Sequence, residues 1–398
     1  PARNAGGGSN LWTNSIGLSA SWEMDFWGRF RRSIEATDAA FFASVAARDQ
    51  VLILLTAQVV DTYFILRSNE ELLDIAKQNV KIQQRSFEIA TTLFRNGYDS
   101  ELDMQQAKTL LLSTKATIPG YEVAIKQARN VLSTLLGRAP GADSMVLSGN
   151  KVIPAFPEQV TVSIPAELLR SRPDVRQAEL AARAQNARVG VATADLYPSF
   201  SLSGTVGLVS AGTGNVAFSN LFGKDALTYS AGPSFVWPFL NYGRIRNNIR
   251  VQDARLQQAL IQYRETVIQA AREVEDAMTG FNGARVQSEI MAETVISAER
   301  SNQLSTFRYK EGLSDYQRVL DSQQALFSQQ QNMLNSRTAA ARSLVSLYKA
   351  LGSGWENRPQ QLISEHSRSS MSERTDWGEL LDSTPEQVHN AEPMPVRN

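Results

Sequence analysis

Between residues 256 and 281 apolar side chains return at alternating steps of four and three: Leu256, Leu260, Tyr263, Val267, Ala270, Val274, Ala277 and Phe281. A repeat of about 3.5 residues is the seam of a coiled coil. The same seam stands earlier in the chain at Phe41, Val45, Arg48, Leu52, Leu55, Val59, Thr62 and Leu66, and its register runs on through Leu73, Ala76, Val80, Phe87, Ala90 and Phe94. Neither proline nor glycine interrupts Arg29 to Asn96. The pattern therefore predicts one helix of about 67 residues, on the order of 100 Å long. Glycines at Gly97 and Gly312 end the long patterns and turn the chain into second helices, expected over Glu101 to Leu136 and Tyr316 to Leu351. Each long helix and its shorter follower form an antiparallel hairpin.

Just upstream of the long helices the period changes to two. Ile16, Leu18, Ala20, Trp22 and Met24 alternate with Ser15, Gly17, Ser19, Ser21 and Glu23, and Leu227, Tyr229, Ala231, Pro233, Phe235 and Trp237 alternate with small or polar neighbours. A third alternation, Phe200, Leu202, Gly204, Val206 and Leu208, pairs with the Leu227 strand across a loop expected from Val209 to Ala226. Strands with one apolar face and one face of small polar residues match the lipid and lumen sides of a transmembrane β-barrel. Three strands cannot close such a barrel, and open edges in lipid leave backbone groups unpaired. The barrel must be shared with other copies of the chain, or the strands belong to an ordinary soluble sheet.

Strand and hairpin occur twice at one offset. Gly28 and Gly243, Gly97 and Gly312, and Gly137 and Gly352 are each 215 residues apart (243 − 28, 312 − 97, 352 − 137). The same shift superposes Trp22 on Trp237, Arg29 on Arg244 and Asp61 on Asp276. So long a period means two copies of one large unit. The expected division is a strand over 11–27, a hairpin over 28–137, a linker over 138–165, a helical segment over 166–198, a β-hairpin over 199–242, a second helical hairpin over 243–352 and a polar tail over 353–398 that is either wrapped or disordered.

Composition narrows the function. Lys+Arg and Asp+Glu are 40 each, which gives no cationic surplus for a nucleic-acid partner. Cysteine is absent and histidine occurs twice, at His366 and His389 in the tail, so thiolate or imidazole metal sites and His-based triads lack their ligands. The reading is no enzyme, no metal and no cofactor. The most apolar stretch, 51–60, is broken by Thr56 and Gln58, so no helical membrane span is expected.

The run Ile164-Pro165-Ala166-Glu167-Leu168-Leu169-Arg170-Ser171-Arg172-Pro173-Asp174-Val175-Arg176, continued at Ala194-Asp195-Leu196-Tyr197-Pro198-Ser199-Phe200, closely resembles a signature of the TolC-like outer membrane factors. More narrowly it resembles the OprM/NodT lipoprotein branch. The elbows Trp27-Gly28-Arg29 and Tyr242-Gly243-Arg244 and the turn Arg308-Tyr309-Lys310-Glu311-Gly312 are similar as well. The resemblance implies a mainly α fold with a small β part: coiled-coil hairpins forming an α-barrel, plus strands of a β-barrel shared by a homotrimer in the outer membrane of a Gram-negative bacterium. It implies an exit duct for drugs or other small molecules, working with a periplasmic adaptor and an RND-type inner-membrane pump. Type I protein secretion or metal-ion efflux stays open as another use of the same architecture, and a soluble coiled-coil scaffold as a reading from another class.

In that family an acidic ring narrows the tunnel tip, and the matching position is Asp321, with Gln317 where a relative carries an apolar plug; Arg318 is either a tether of the closed hairpins, through an ion pair within or between protomers, or an ordinary exposed arginine. The turns Asn96-Gly97-Tyr98 and Glu311-Gly312-Leu313 are the expected adaptor-docking ends, and Trp22, Phe26, Trp27, Trp237, Phe239 and Tyr242 the expected girdle against outer-membrane lipid. The family's lipidated cysteine and first strand have no counterpart here, so the chain reads as N-terminally truncated.

Overall fold

The computed structural model describes residues 11–141, 153, 171–213, 220–352 and 365–374. Most of the 138–165 linker, the first part of the 164–176 signature and most of the tail lie outside them. In order the elements are β1 (Leu11–Met24), α1 (Arg29–Arg95), α2 (Glu101–Leu135), α3 (Pro173–Ala194), β2 (Ser199–Thr213), β3 (Leu227–Val236), α4 (Tyr242–Lys310), α5 (Tyr316–Ala350) and α6 (Glu365–Arg374). The fold is mainly helical with one small sheet, and it divides into two compact units through which α1 and α4 both pass.

The first unit holds the sheet, antiparallel in the order β1-β2-β3. Trp22 stands opposite Leu202 and Leu202 opposite Pro233, while Ser201 pairs with Ser234 and Thr205 with Ser230. Apolar residues thus share one face and hydroxyls the other, with the Thr205 and Ser230 hydroxyls 2.7 Å apart. Two glycines meet at Gly17 and Gly207, where a Cβ on Gly207 would come within 2.8 Å of the Ile16 carbonyl oxygen. Two expectations are corrected. β2 runs on to Thr213, because β1 begins at Leu11 and supplies backbone partners that the small residues of 209–213 accept. Trp237 lies just past β3, which stops at Val236 before Pro238.

The second unit contains most of both helical hairpins. In the first hairpin Leu66, Ile125, Ala128 and Leu132 are buried together with Val59 and Leu73 against them; in the second, Val274, Leu347 and Ala350 pack with Ala277 and Met278. These are seam residues, each worth about 1.5–3 kcal/mol where a Leu or Val is fully buried. The seam does not stay covered along α1, since Leu52 and Leu55 are exposed beside Val51 and Leu54. The physical reason is length: α2 has 35 residues against 67 in α1, so it cannot accompany its partner to the end. By length and composition alone α1 contains a window apolar enough to cross a bilayer.

Arg172, from the signature, is 4% exposed. Its Nη1 donates to the Ala350 carbonyl at the end of α5, its Nε and Nη2 to Asp174 at 3.0 and 2.7 Å, and its Nη2 also to Glu273 on α4 at 2.8 Å. A guanidinium at the carbonyl end of one helix and a carboxylate in the first turn of another both follow the helix dipole. The motif is a clamp joining α3, α4 and α5.

Candidate functional site: the hairpin tips and the barrel elbow

Both hairpin tips are built by the same device. Gly97 and Gly312 adopt φ of +76° and +69°, which only glycine enters without strain. The Tyr98 N–H then reaches back to the Leu93 carbonyl at 2.9 Å and the Leu313 N–H to the Arg308 carbonyl at 2.8 Å, closing the helix ends. This leaves Tyr98 and Leu313 projecting, 81% and 65% exposed, with Asn96 and Glu311 exposed beside them.

The tips touch through a buried cluster in which Tyr309 and Tyr316 pack edge to face at 5.2 Å against Val319 of the second hairpin and Ala90 and Ala107 of the first. The Tyr309 hydroxyl donates to Asp99 Oδ2, crossing from one hairpin to the other. Asp99 Oδ1 accepts the Ser100 N–H at 2.9 Å, and Ser100, the N-cap of α2, accepts the Asp103 N–H and donates its hydroxyl to Asp103. Beside this, Gln106 Nε2 donates to Gln317 Oε1 at 3.4 Å and Gln317 Nε2 to Asp321 Oδ1 at 2.8 Å.

Two aspartates this close share a proton unevenly. Burial pushes Asp103 up, helped by its hydrogen bond to Asp99 and the charges of Asp99 and Asp315, to about 6. Burial also opposes ionisation of Asp99, but hydrogen bonds from Asp103, the Tyr309 hydroxyl and the Ser100 N–H hold it below the ordinary aspartate range. Burial and the neighbouring carboxylates raise the Tyr309 hydroxyl far above the usual tyrosine value, and burial with the Asp103 charge pushes Tyr316 up to about 12. Tyr309 therefore remains a donor at any physiological pH.

Of the residues singled out in the sequence, Gln317 and Asp321 come together in one hydrogen bond and both are exposed. Arg318 is exposed and has no ion-pair partner among the described residues of this one chain, while the Tyr309–Asp99 and Gln106–Gln317 hydrogen bonds join the hairpins at the tip. Sequence reasoning missed Asp99, Asp103, Gln106 and Tyr309. A signal was available: under the 215-residue shift Asp99 faces Ser314, Asp103 faces Arg318, Gln106 faces Asp321 and Phe94 faces Tyr309, so the duplication breaks where the two hairpins must differ in order to bind each other.

In the first unit the expected girdle residues gather at the turn between α3 and β2. Trp27 stacks on Tyr197 at 4.4 Å and donates its indole N–H to the Pro198 carbonyl at 2.8 Å, while its repeat mate Tyr242 donates to the Leu196 carbonyl at 3.0 Å. Trp237 donates to the same Leu196 carbonyl at 3.3 Å and packs by Phe239 at 5.8 Å, and Phe26 meets Phe200 at 5.5 Å. Trp22, Phe26, Trp27, Trp237 and Phe239 all keep large exposed surfaces. Rings tied to backbone at one end and open at the other suit a membrane–water boundary.

The family model for outer membrane efflux proteins matches residues 2–138 and 164–353. The chain belongs to that family. It is the outer-membrane channel component of an efflux system. Among similar proteins, the solvent efflux pump outer membrane protein SrpC of Pseudomonas putida is 31% identical, over 85% of this chain and 71% of its own length. The outer-membrane channel OprN superposes with a TM-score of 0.79 at 29% identity, covering 87% of this chain and 82% of its own. The MtrE outer membrane channel of Neisseria gonorrhoeae, in its open state, superposes with a TM-score of 0.73 at 27% identity, covering 87% and 81%.

Proposed function

We propose that three copies of this chain assemble into a duct that carries drugs or other small molecules from the periplasm to the exterior, with no catalysis of its own. The observation that carries the trimer is the sheet: β1 and β3 each have one unpaired edge, and its apolar face bears exposed Leu18, Trp22, Tyr229 and Phe235. In lipid each unpaired backbone group costs several kcal/mol, so the edges must pair with those of neighbouring copies. Exposed Val51, Leu52, Leu54 and Leu55 on α1 supply lateral apolar surface for the same assembly. Driving energy comes from an RND-type inner-membrane transporter.

A periplasmic adaptor docks on the tips Asn96-Gly97-Tyr98 and Glu311-Gly312-Leu313, where Tyr98 and Leu313 offer apolar contacts. The Tyr309–Asp99 bond holds the two hairpins together and the tip closed. Asp321, turned outward and oriented by Gln317, forms with its symmetry mates an acidic ring that favours cations. An adaptor opens the tip by binding the open arrangement more tightly than the closed one. Light scattering of the complete protein in detergent tests the assembly: a mass of three chains is expected, and a monomer that stays dispersed without detergent refutes it.

A further inference from the structure

The two elbows that lead from strand into long helix are copies of one another, yet they differ in charge. In the first, residues 22–35, three arginines meet three acids and the charge is zero (3 − 3): Arg29 pairs with Glu23 at 3.6 Å, Arg31 with Asp25 at 3.4 Å and Arg32 with Glu35 at 2.7 Å. In the second, residues 237–250, the 215-residue shift places Pro238, Leu240 and Arg250 where those acids stand. Arg244, Arg246 and Arg250 are left without an acid in the segment, so this elbow carries three positive charges (3 − 0).

None of these three arginines has an ion-pair partner among the described residues, and all three are exposed. Arg244 lines a cavity of about 270 Å³ together with Glu23, Asp25 and Asp195. Arg246 and Arg250 stand one turn apart on one face of α4, where like charges repel until an anion joins them. Arg246 lies over the Tyr242 ring, 5.6 Å from its centroid, and Asp253, one turn beyond Arg250, forms an ion pair with neither. Beside these cations the chain is apolar and open. Leu240 is 86% exposed and Phe239 57%, with Val236 and Trp237 exposed next to them. In the first elbow the place of Leu240 is taken by Asp25, half-buried and bonded to the Arg31 N–H. A cationic pair beside bare apolar side chains fits a ligand that is itself an anion with a hydrocarbon part.

We infer that the second elbow is a binding site for an anionic phospholipid of the periplasmic leaflet, its phosphate held by Arg246 and Arg250 and its acyl chains laid against Phe239 and Leu240. In the proposed duct the strands face lipid and the long helices enter the periplasm, so the elbow stands at the level of the headgroups; the inference rests on that reading. Guanidinium groups grip phosphate oxygens with paired N–H donors. Their aliphatic stems and the neighbouring rings stay at the apolar border. Each arginine close to an anionic membrane surface strengthens binding about fivefold. The first elbow, neutralised from within its own chain, lacks the free cations for the same ligand. A trimer therefore holds three such sites, alternating with three neutral elbows.

The test uses the complete protein in a neutral detergent, titrated with phosphatidylglycerol or with phosphatidylcholine of the same acyl chains. Lipid adducts in native mass spectrometry and the thermal midpoint are both read. Phosphatidylglycerol is expected to bind about tenfold or more tightly than phosphatidylcholine. Arg246→Gln with Arg250→Gln is expected to erase that preference, Arg246→Lys with Arg250→Lys to keep most of it, and Arg31→Gln in the first elbow to leave it unchanged. Equal binding of the two lipids, or a preference that survives the glutamine pair, overturns the proposal. So does inorganic phosphate that stabilises as much as the lipid, which marks an adventitious ion only. A glutamine pair that falls into single chains without lipid also overturns it, because the arginines then pair with carboxylates of a neighbouring copy. A parent protein that stays dispersed without detergent refutes instead the membrane reading on which the inference rests.

Discussion

Replacing Tyr309 with phenylalanine removes one hydroxyl from the tip and leaves the ring where it is, since Tyr309 is buried against Tyr316, Ala90 and Val319. The lost hydrogen bond ends on a carboxylate and is worth about 1.5–3 kcal/mol per chain, a factor of about 10 or more in the closed-to-open ratio. Single-channel conductance of the reconstituted protein reads this directly, and the variant is expected to open often where the parent stays shut. The dependence on pH follows from the two aspartates. Asp103 is raised from 3.8 to about 6 in the closed tip, so its contribution is complete below 3.8 and is lost as pH rises through about 6. Asp99 is lowered from 3.8, so its contribution is present above that value and is lost only as pH falls through its depressed pKa. The closed tip is thus firmest between the two and loosens toward neutral pH. The Asp103 shift corresponds to at most about 3 kcal/mol, which solvent at this partly exposed carboxyl reduces to about 1–2 kcal/mol. Conductance of Tyr309→Phe equal to that of the parent at every pH from about 5 to 8 would refute the latch.

Asp103→Asn keeps a donor toward Asp99 and removes the titration, so the rise in opening between about pH 5 and 7 is expected to vanish; recording the same channels across that range decides it. Arg172→Ala strips the cation from the clamp on Asp174, Glu273 and the Ala350 carbonyl and is expected to cost about 3–5 kcal/mol in a denaturant titration, with lysine recovering little because it lacks the forked donors. Gly207→Ala sets a methyl group against the Ile16 carbonyl and the Gly17 backbone, and the expected loss of membrane-inserted protein is measured by fractionation. Asp321→Ala is expected to lower cation preference in reversal-potential measurements; unchanged selectivity removes Asp321 from the acidic ring.

Periodicity marked the long helices and the strands, although β2 runs on past the alternation to Thr213. Helices written with a 3.5-residue seam, strands with an alternation of two and left-handed glycines at both turns are local consequences of sequence, and Gly97 and Gly312 end their helices as their positions required. The duplication and the resemblance of the signature led to the family. Neither identified the pairing between hairpins, because a seam pattern states which face is buried and not which helix buries it. Nothing local to the chain foretold that the first hairpin brings Asp99 to the Tyr309 hydroxyl, 210 residues away. Local structure follows from neighbours in the chain, while the Tyr309–Asp99 bond and the Arg172 clamp depend on side chains that only the folded chain brings within hydrogen-bonding distance.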